Sequence, residues 1–189
     1  MNRHPGSTGL NLCLVSPNEW TERVHSAALD VASAAEHGSL DRTMVEDVAG
    51  LLVTLGKAAG HADQLALQGS AARAARRHFR RHMLDVGATA MLILRSSREQ
   101  RGLPVPAVEE LAHEIARRRV ISARGTQAHE LRSPAGHAAA GLGAAIAAVG
   151  RVVPLLPLDQ ERQAECATIM EAVLAAAITA AALAPREPI

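Results

Sequence analysis

Apolar residues recur every three or four positions along most of the chain, which is the spacing of one face of an α-helix. The first run follows Ser16-Pro17-Asn18-Glu19, a strong helix start in which serine caps, proline suits the first turn and Glu19 completes a capping box. Segments rich in glycine or proline separate the later runs, and Ser39 or Asp41 is the expected cap of the second. The pattern predicts six helices, over about 16–38, 41–60, 71–98, 106–123, 133–153 and 158–184.

The composition supports a helical bundle. Alanine, the best helix former, supplies 39 of the 189 residues, whereas the chain has only one tryptophan, one phenylalanine and no tyrosine. In the third helix the apolar stripe predicts a buried face, made of Phe79, Met83, Val86, Ala90 and Ile93. The last helix has no charged residue from Ala172 to Ala184, so we expect it at the centre of a core or an interface. The predicted fold class is an all-α bundle of about six helices.

The two halves of the chain share a weak sequence similarity. Glu22 and His25 of helix one have counterparts 88 positions later, at Glu110 and His113 of helix four. This spacing favours two three-helix repeats, although chance similarity is the alternative in a chain so rich in alanine. We therefore divide the chain into an N-terminal tail at 1–15, a helical half at 16–100 and an alanine-rich half at 105–185. The two halves are expected to pack as a single globular unit.

The sequence also predicts a cytoplasmic location. Cys13 and Cys166 lack the spacing of metal ligands, and so few cysteines are typical of a reducing compartment. The N-terminus has no long apolar segment of the secretory kind. Uncharged runs such as Ala172–Ala184 are shorter than the roughly 18 apolar residues of a membrane span, so no membrane association is expected.

Positive charge is concentrated in the middle of the chain. Residues 71–132 carry thirteen arginines against six acidic residues, although the whole protein has a net charge of only +1. The densest run is Arg73, Arg76, Arg77, Arg80 and Arg81, and Arg117–Arg119 could extend its surface. Arginine is a natural ligand for phosphate, so the candidate phosphate-binding residues are Arg77, Arg81 and Lys57. The alternative is an ordinary solvated helix face.

Carboxylates on the second and third helices suggest a metal site. Magnesium prefers oxygen ligands and often bridges carboxylates to substrate phosphates. The candidate ligands are Glu46, Asp47 and Asp85, with surface acids of amphipathic helices as the alternative interpretation. His78 and His82 also have the spacing of a zinc-chelating pair. They lack the glutamate of the H-E-x-x-H motif, and the neighbouring arginines would repel a cation.

Two segments resemble the paired helices of MazG-like nucleotide pyrophosphohydrolases. They are Val45-Glu46-Asp47-Val48-Ala49-Gly50 and, later, His82-Met83-Leu84-Asp85-Val86-Gly87-Ala88-Thr89-Ala90. The resemblance covers about residues 19–98. It implies an all-α, usually oligomeric protein in which four acidic residues hold Mg²⁺ while a nucleoside triphosphate loses pyrophosphate. Glu46 or Asp47 would match the first acid of the family's first motif, and Asp85 the last acid of the second.

The chain departs from the family pattern at the remaining acids. Gly50 or Leu51 replaces the second acid of the first motif, and His82 replaces the glutamate of the second. Either another acid substitutes, with Asp30 and Asp63 as candidates, or catalysis is lost. We therefore expect a degenerate MazG-like protein that binds a nucleotide or a protein partner, with weak or no turnover.

Two other functions fit the same sequence. One is a non-enzymatic interaction protein that forms a homo-oligomer through its alanine-rich final helices. The other is a nucleic-acid-binding protein that uses the arginine face of helix three. The second is not favoured, because no exposed aromatic residues are interleaved with the arginines for base stacking.

Overall fold

The chain is all α-helical in the computed structural model, which describes residues 16–38, 43–67, 70–125, 134–156 and 159–184. These residues form six α-helices, a short 3₁₀ turn at Val153–Leu155 and no strand. The helices are α1 Pro17–Glu36, α2 Met44–Ala62, α3 Ser70–Gln100, α4 Val108–Gly125, α5 Pro134–Val152 and α6 Gln160–Leu183. The predicted all-α bundle of about six helices is confirmed.

The helix starts show which local sequence signals correctly predicted where a helix begins. The Ser16 side chain caps α1 as predicted, accepting a hydrogen bond from the Glu19 backbone N–H at 3.2 Å. The cap of α2 is Thr43, so the prediction of Ser39 or Asp41, which lie outside the described residues, was wrong. Thr43 is favoured because it makes a reciprocal capping box with Glu46.

The end of α2 also differs from the prediction. The helix continues past Gly60, the expected break, to Ala62. A glycine inside a helix costs only about 1 kcal/mol, and packing against a neighbouring helix can offset that cost. Such packing is present here, since the ring of His61 stacks on two histidines of α3.

The two helical halves pack side by side, with corresponding helices as neighbours. α3 lies against α6, α1 against α4, and α2 against α5. Most of α6 is buried, including the uncharged run that ends at Ala184, and the predicted stripe of α3 is buried throughout. The uncharged second half of α6 therefore lies inside the protein's own core.

Two glycines allow helices to approach closely in this core. A methyl group on Gly87 of α3 would lie 2.9 Å from Cγ2 of Val31 on α1. One on Gly141 of α5 would lie 3.0 Å from Cβ of Ala180 and 3.2 Å from the carbonyl oxygen of Ala176 on α6. These separations are shorter than van der Waals contact, so a larger residue at either position would push the helices apart.

Two segments, Pro134–Leu155 and Arg162–Leu183, are long and apolar enough to cross a membrane. The protein itself buries 78% of the apolar window in the second segment, so its composition is that of a core helix. In the first segment the protein buries only 33% of the corresponding apolar window. α5 therefore combines high hydropathy with a largely exposed surface.

Candidate functional site

A groove between α1 and α3 contains half of the six candidate site residues. Its volume is about 240 Å³, and we call it the arginine groove. Its lining is Asp30, Ala34, Arg77, Arg80, Arg81, Leu84 and Asp85. Two of the three predicted phosphate-binding residues, Arg77 and Arg81, thus lie together with one of the predicted metal ligands, Asp85.

The helical register of α3 explains why these arginines reach solvent. Phe79 and Met83 are completely buried, so the opposite side of the same turns is exposed. Arg77 and Arg81 stand one turn apart on that side, where the Cβ atoms of such pairs are about 5–6 Å apart. Neither has an ion-pair partner in the part of the chain that the structure describes.

The other arginines of the same run have structural partners. Arg80 pairs with Asp30 of α1, its Nη2 lying 2.5 Å from Oδ2. Arg76 donates from Nε to the backbone carbonyl of Leu65 at 3.1 Å and from Nη2 to that of Leu67, which holds the segment after α2. Of the five arginines, Arg73, Arg77 and Arg81 remain exposed with no ion pair among the described residues.

The structure does not bring the three predicted metal ligands together. Glu46 takes part in the cap of α2, and Asp47 is buried in the first turn of that helix. His61, at the other end of α2, contacts His82, only one turn of helix before Asp85. At 1.5 Å per residue, Asp47 and Asp85 are about 17 Å apart along the helix axes. Within the described residues no three His, Cys, Asp or Glu side chains form a set that could hold a metal ion.

Asp30 lies in the same groove as Asp85. Both side chains line the arginine groove, as would be required if Asp30 substituted for a missing acid. Magnesium commonly takes one or two protein carboxylates together with substrate phosphates, so this pair has suitable donors. One oxygen of Asp30 is already paired with Arg80. The groove therefore has three arginines and two carboxylates on its walls.

Lys57 lies away from the arginine groove, near a cluster of histidines that could be predicted only in part from the sequence. It is exposed on α2 and acts electrostatically on His82 of α3. His61 of α2 stacks against both His78 and His82, with ring centroids 5.4 Å and 5.9 Å away. The i, i+4 spacing of His78 and His82 is visible in the sequence, but His61 joins them only through the packing of α2 on α3.

The arginines of α4 belong to a different region. Arg118 pairs with Glu114 and, at 3.7 Å, with Glu171 of α6, to which Arg98 also bonds at 3.4 Å. Arg98 is about 25 Å along α3 from Arg81. Arg117–Arg119 therefore do not extend the arginine groove as the sequence suggested. The grooves beside α6 have volumes of about 390 Å³ and 320 Å³, and both are lined by Glu171, the shared partner of Arg98 and Arg118.

Comparison with known proteins supplies no relative. The chain matches no protein-family model, no curated protein and no solved structure. The arginine groove is therefore the feature from which a function can be inferred.

Proposed function

We propose that the chain binds the phosphate groups of a nucleotide in the arginine groove. The observation that carries this proposal is the pair Arg77 and Arg81, exposed one turn apart and without ion-pair partners among the described residues. Guanidinium groups bind phosphate oxygens through paired hydrogen bonds, so two neighbouring arginines suit two neighbouring phosphoryl groups. The resemblance to MazG-like pyrophosphohydrolases supports the choice of a nucleotide, bound with weak or no turnover.

The groove favours the phosphate tail over the base. Its volume of about 240 Å³ is below the roughly 300 Å³ at which pockets begin to enclose a drug-sized ligand. Phe79 and Trp20, the chain's two aromatic residues outside histidine, are buried and offer no stacking surface. We therefore expect affinity to increase from mono- to di- to triphosphate and to depend little on the base.

Calorimetric titration with ATP, GTP and inorganic triphosphate tests this proposal. We expect similar affinities for the three ligands, and a loss of about tenfold in Arg77→Ala and in Arg81→Ala. Arg117→Ala is the matched control, because it removes one exposed arginine from α4 and leaves the groove intact. Equal losses in all three variants, or no binding at low salt, would refute a specific phosphate site.

Asp85→Asn distinguishes two modes of binding in the same groove. If the arginines bind phosphate directly, removing a negative charge from the wall raises affinity in the absence of magnesium. If Mg²⁺ bridges phosphate to Asp85, as the family resemblance implies, the same change lowers affinity only when Mg²⁺ is present. Release of pyrophosphate from a panel of nucleoside triphosphates is measured in parallel. Robust release that Asp85→Ala abolishes would establish an active enzyme in place of a binding protein.

Nucleic acid is the competing ligand for the same surface. Arg73, Arg77 and Arg81 form a row about 12 Å long on α3. A polynucleotide would bind with a steep salt dependence, which neutralising these arginines would reduce. Tight binding of single- or double-stranded DNA at physiological salt, with no binding of triphosphate, would favour this function over nucleotide binding.

A second candidate function, self-association, is favoured by the surface of α2 and α5. These adjacent helices carry several exposed large apolar side chains, namely Val45, Leu52, Val53 and Ile146. Gly50, Gly56, Gly143 and Gly150 lie on the same two helices, and a methyl group at any of them would meet nothing within 4 Å. Internal packing therefore does not require these glycines. A surface so rich in small and apolar residues suits close packing against a second copy of the chain, and Arg151 is the only Asp, Glu, Lys or Arg in α5.

Light scattering at several concentrations tests self-association. We expect an oligomer that Ile146→Glu and Val53→Glu dissociate, because each places a charge in the apolar interface. Leu29→Glu on α1 is the control, since Leu29 is equally exposed at 46% but lies on another helix. A monomer at all concentrations would exclude the interface, and co-flotation with lipid vesicles would assign the surface to a membrane instead.

A further inference from the structure

Three histidines form a stack beside the arginine groove. His61 of α2 and His78 and His82 of α3 have ring centroids separated by 5.4, 5.9 and 6.5 Å. Their ring planes are within 12–24° of parallel. Imidazoles stacked in this way do not share a common centre, in agreement with the absence of a metal-holding set in the described residues.

The surroundings of His82 disfavour its protonation in the free protein. Partial burial lowers the pKa of His82, and the positive charges of His61, Lys57 and His78 lower it further. The carboxylate of Asp85 acts in the opposite direction. These are the charged groups that act on His82 from α2 and from its own helix. His82 therefore takes up a proton less readily than a free imidazole does.

The histidine stack and the arginine groove are joined through α3. His78 and His82 directly follow Arg77 and Arg81 in the sequence, so the two pairs occupy neighbouring strips of one helix surface. Asp85 contributes to both, because it lines the groove and interacts with His82. A proton taken up by the stack thus adds positive charge next to the groove and partly cancels the repulsion between Asp85 and an anion.

We propose that the histidine stack makes phosphate binding pH-dependent, so that a phosphorylated ligand is bound together with protons and more tightly in mildly acidic conditions. This inference rests on the proposed phosphate site and adds its regulation. A bound polyanion offsets the nearby positive charges that oppose protonation of His82 in the free protein. By linkage, the ligand that favours protonation is itself bound more tightly when protons are abundant. Histidine is the side chain whose charge changes in the physiological pH range.

The test compares the wild-type protein with a variant carrying His61→Gln, His78→Gln and His82→Gln. Binding of inorganic triphosphate is measured at pH 8.0 and pH 5.5, and the ratio of the two affinities is compared between proteins. The titration of the ligand itself near pH 6 cancels in this comparison. We expect the ratio to favour acidic pH by about fivefold more in the wild-type protein than in the variant. At pH 8.0 the two proteins should bind equally.

His113→Gln is the matched control. His113 also faces a second histidine, His25, at a centroid distance of 6.2 Å, but this pair lies between α1 and α4 and does not line the arginine groove. Its replacement should leave the pH dependence unchanged. Equal pH dependence in the wild-type protein and the triple variant would overturn the inference while leaving the phosphate site intact. Absence of binding at both pH values would instead refute the phosphate site itself.

A second measurement does not depend on comparing affinities. The imidazole pKa values are followed by NMR in the free protein and in the protein saturated with triphosphate. We expect triphosphate to raise the pKa of His82. An unchanged pKa of His82 on ligand binding would exclude the coupling.

Discussion

Arg80 of α3 and Asp30 of α1 form an ion pair across the arginine groove, with Nη2 and Oδ2 2.5 Å apart. The pair joins residues fifty positions apart and neutralises one of the three arginines that line the groove. It therefore both connects two helices and limits the positive charge available to an anion.

Asp30→Asn should release Arg80 and strengthen phosphate binding. We expect the affinity for inorganic triphosphate to rise roughly two- to fivefold, because one negative charge leaves the groove. The loss of unfolding free energy should stay below about 1 kcal/mol, since the Asp30 side chain is 43% exposed and exposed ion pairs contribute little. Calorimetry and urea unfolding measure the two effects. Weaker triphosphate binding in the absence of metal would show that Asp30 positions Arg80 for the ligand.

Replacing Gly141 or Gly143 of α5 with alanine should change the stability of the protein in opposite directions. Gly141→Ala places a methyl group 3.0 Å from Ala180 Cβ, and overpacking of this kind typically costs about 1–3 kcal/mol. Gly143→Ala meets no atom within 4 Å and should gain up to about 1 kcal/mol from helix propensity. Urea unfolding followed by the fluorescence of Trp20, the only tryptophan, measures both. Equal effects would mean that α5 does not approach α6 as closely as described.

Cys166 should be unreactive until the protein unfolds. It is fully buried on α6, and burial raises the pKa of its thiol to about 11. Almost no thiolate exists at neutral pH, and the thiolate is the reactive form. Alkylation followed by peptide mass spectrometry should therefore modify Cys166 in denaturant and leave it unmodified in the native protein. Rapid modification of Cys166 in the native protein would indicate that the packing around α6 opens readily.

Acidic pH should destabilise the protein through His82. Because its pKa is lowered in the folded state from 6.5, the unfolded chain binds a proton more readily. Stability contributed by the uncharged ring is complete above about pH 7 and is lost as the pH falls through the interval between the two pKa values. Urea midpoints at pH 7.5 and 5.5 should differ more in the wild-type protein than in His82→Gln. His113→Gln serves as the control, and a pH effect as large in His82→Gln as in the wild-type protein would contradict this assignment.

Local signals in the sequence accounted for most of the helices. The apolar stripe through Phe79 and Met83 determines which side of α3 is buried, and therefore which side exposes Arg77 and Arg81. The prediction of the α2 cap failed because several polar residues precede the helix. Only Thr43 has a glutamate three positions later with which to complete a capping box.

Much less of the candidate site could be predicted from local sequence. A run of arginines can be read from the chain, but its residues proved to have different roles, because Arg76 bonds the backbone after α2 and Arg80 pairs with Asp30. Likewise, Asp47 and Asp85 lie on adjacent helices, but their different positions along the helix axes keep the two carboxylates apart. Spacing within a helix is set by its geometry, whereas alignment between helices is set by the packing of their buried faces.

By itself, then, the sequence determined the helical fold, the buried stripes and the concentration of arginine on α3, because helix propensity and the 3.6-residue period act over a few neighbouring positions. Only the tertiary structure decided that Asp30 meets Arg80 and that His61 completes a stack with His78 and His82. These contacts join different helices, and their existence depends on how small residues such as Gly87 let the helices come together.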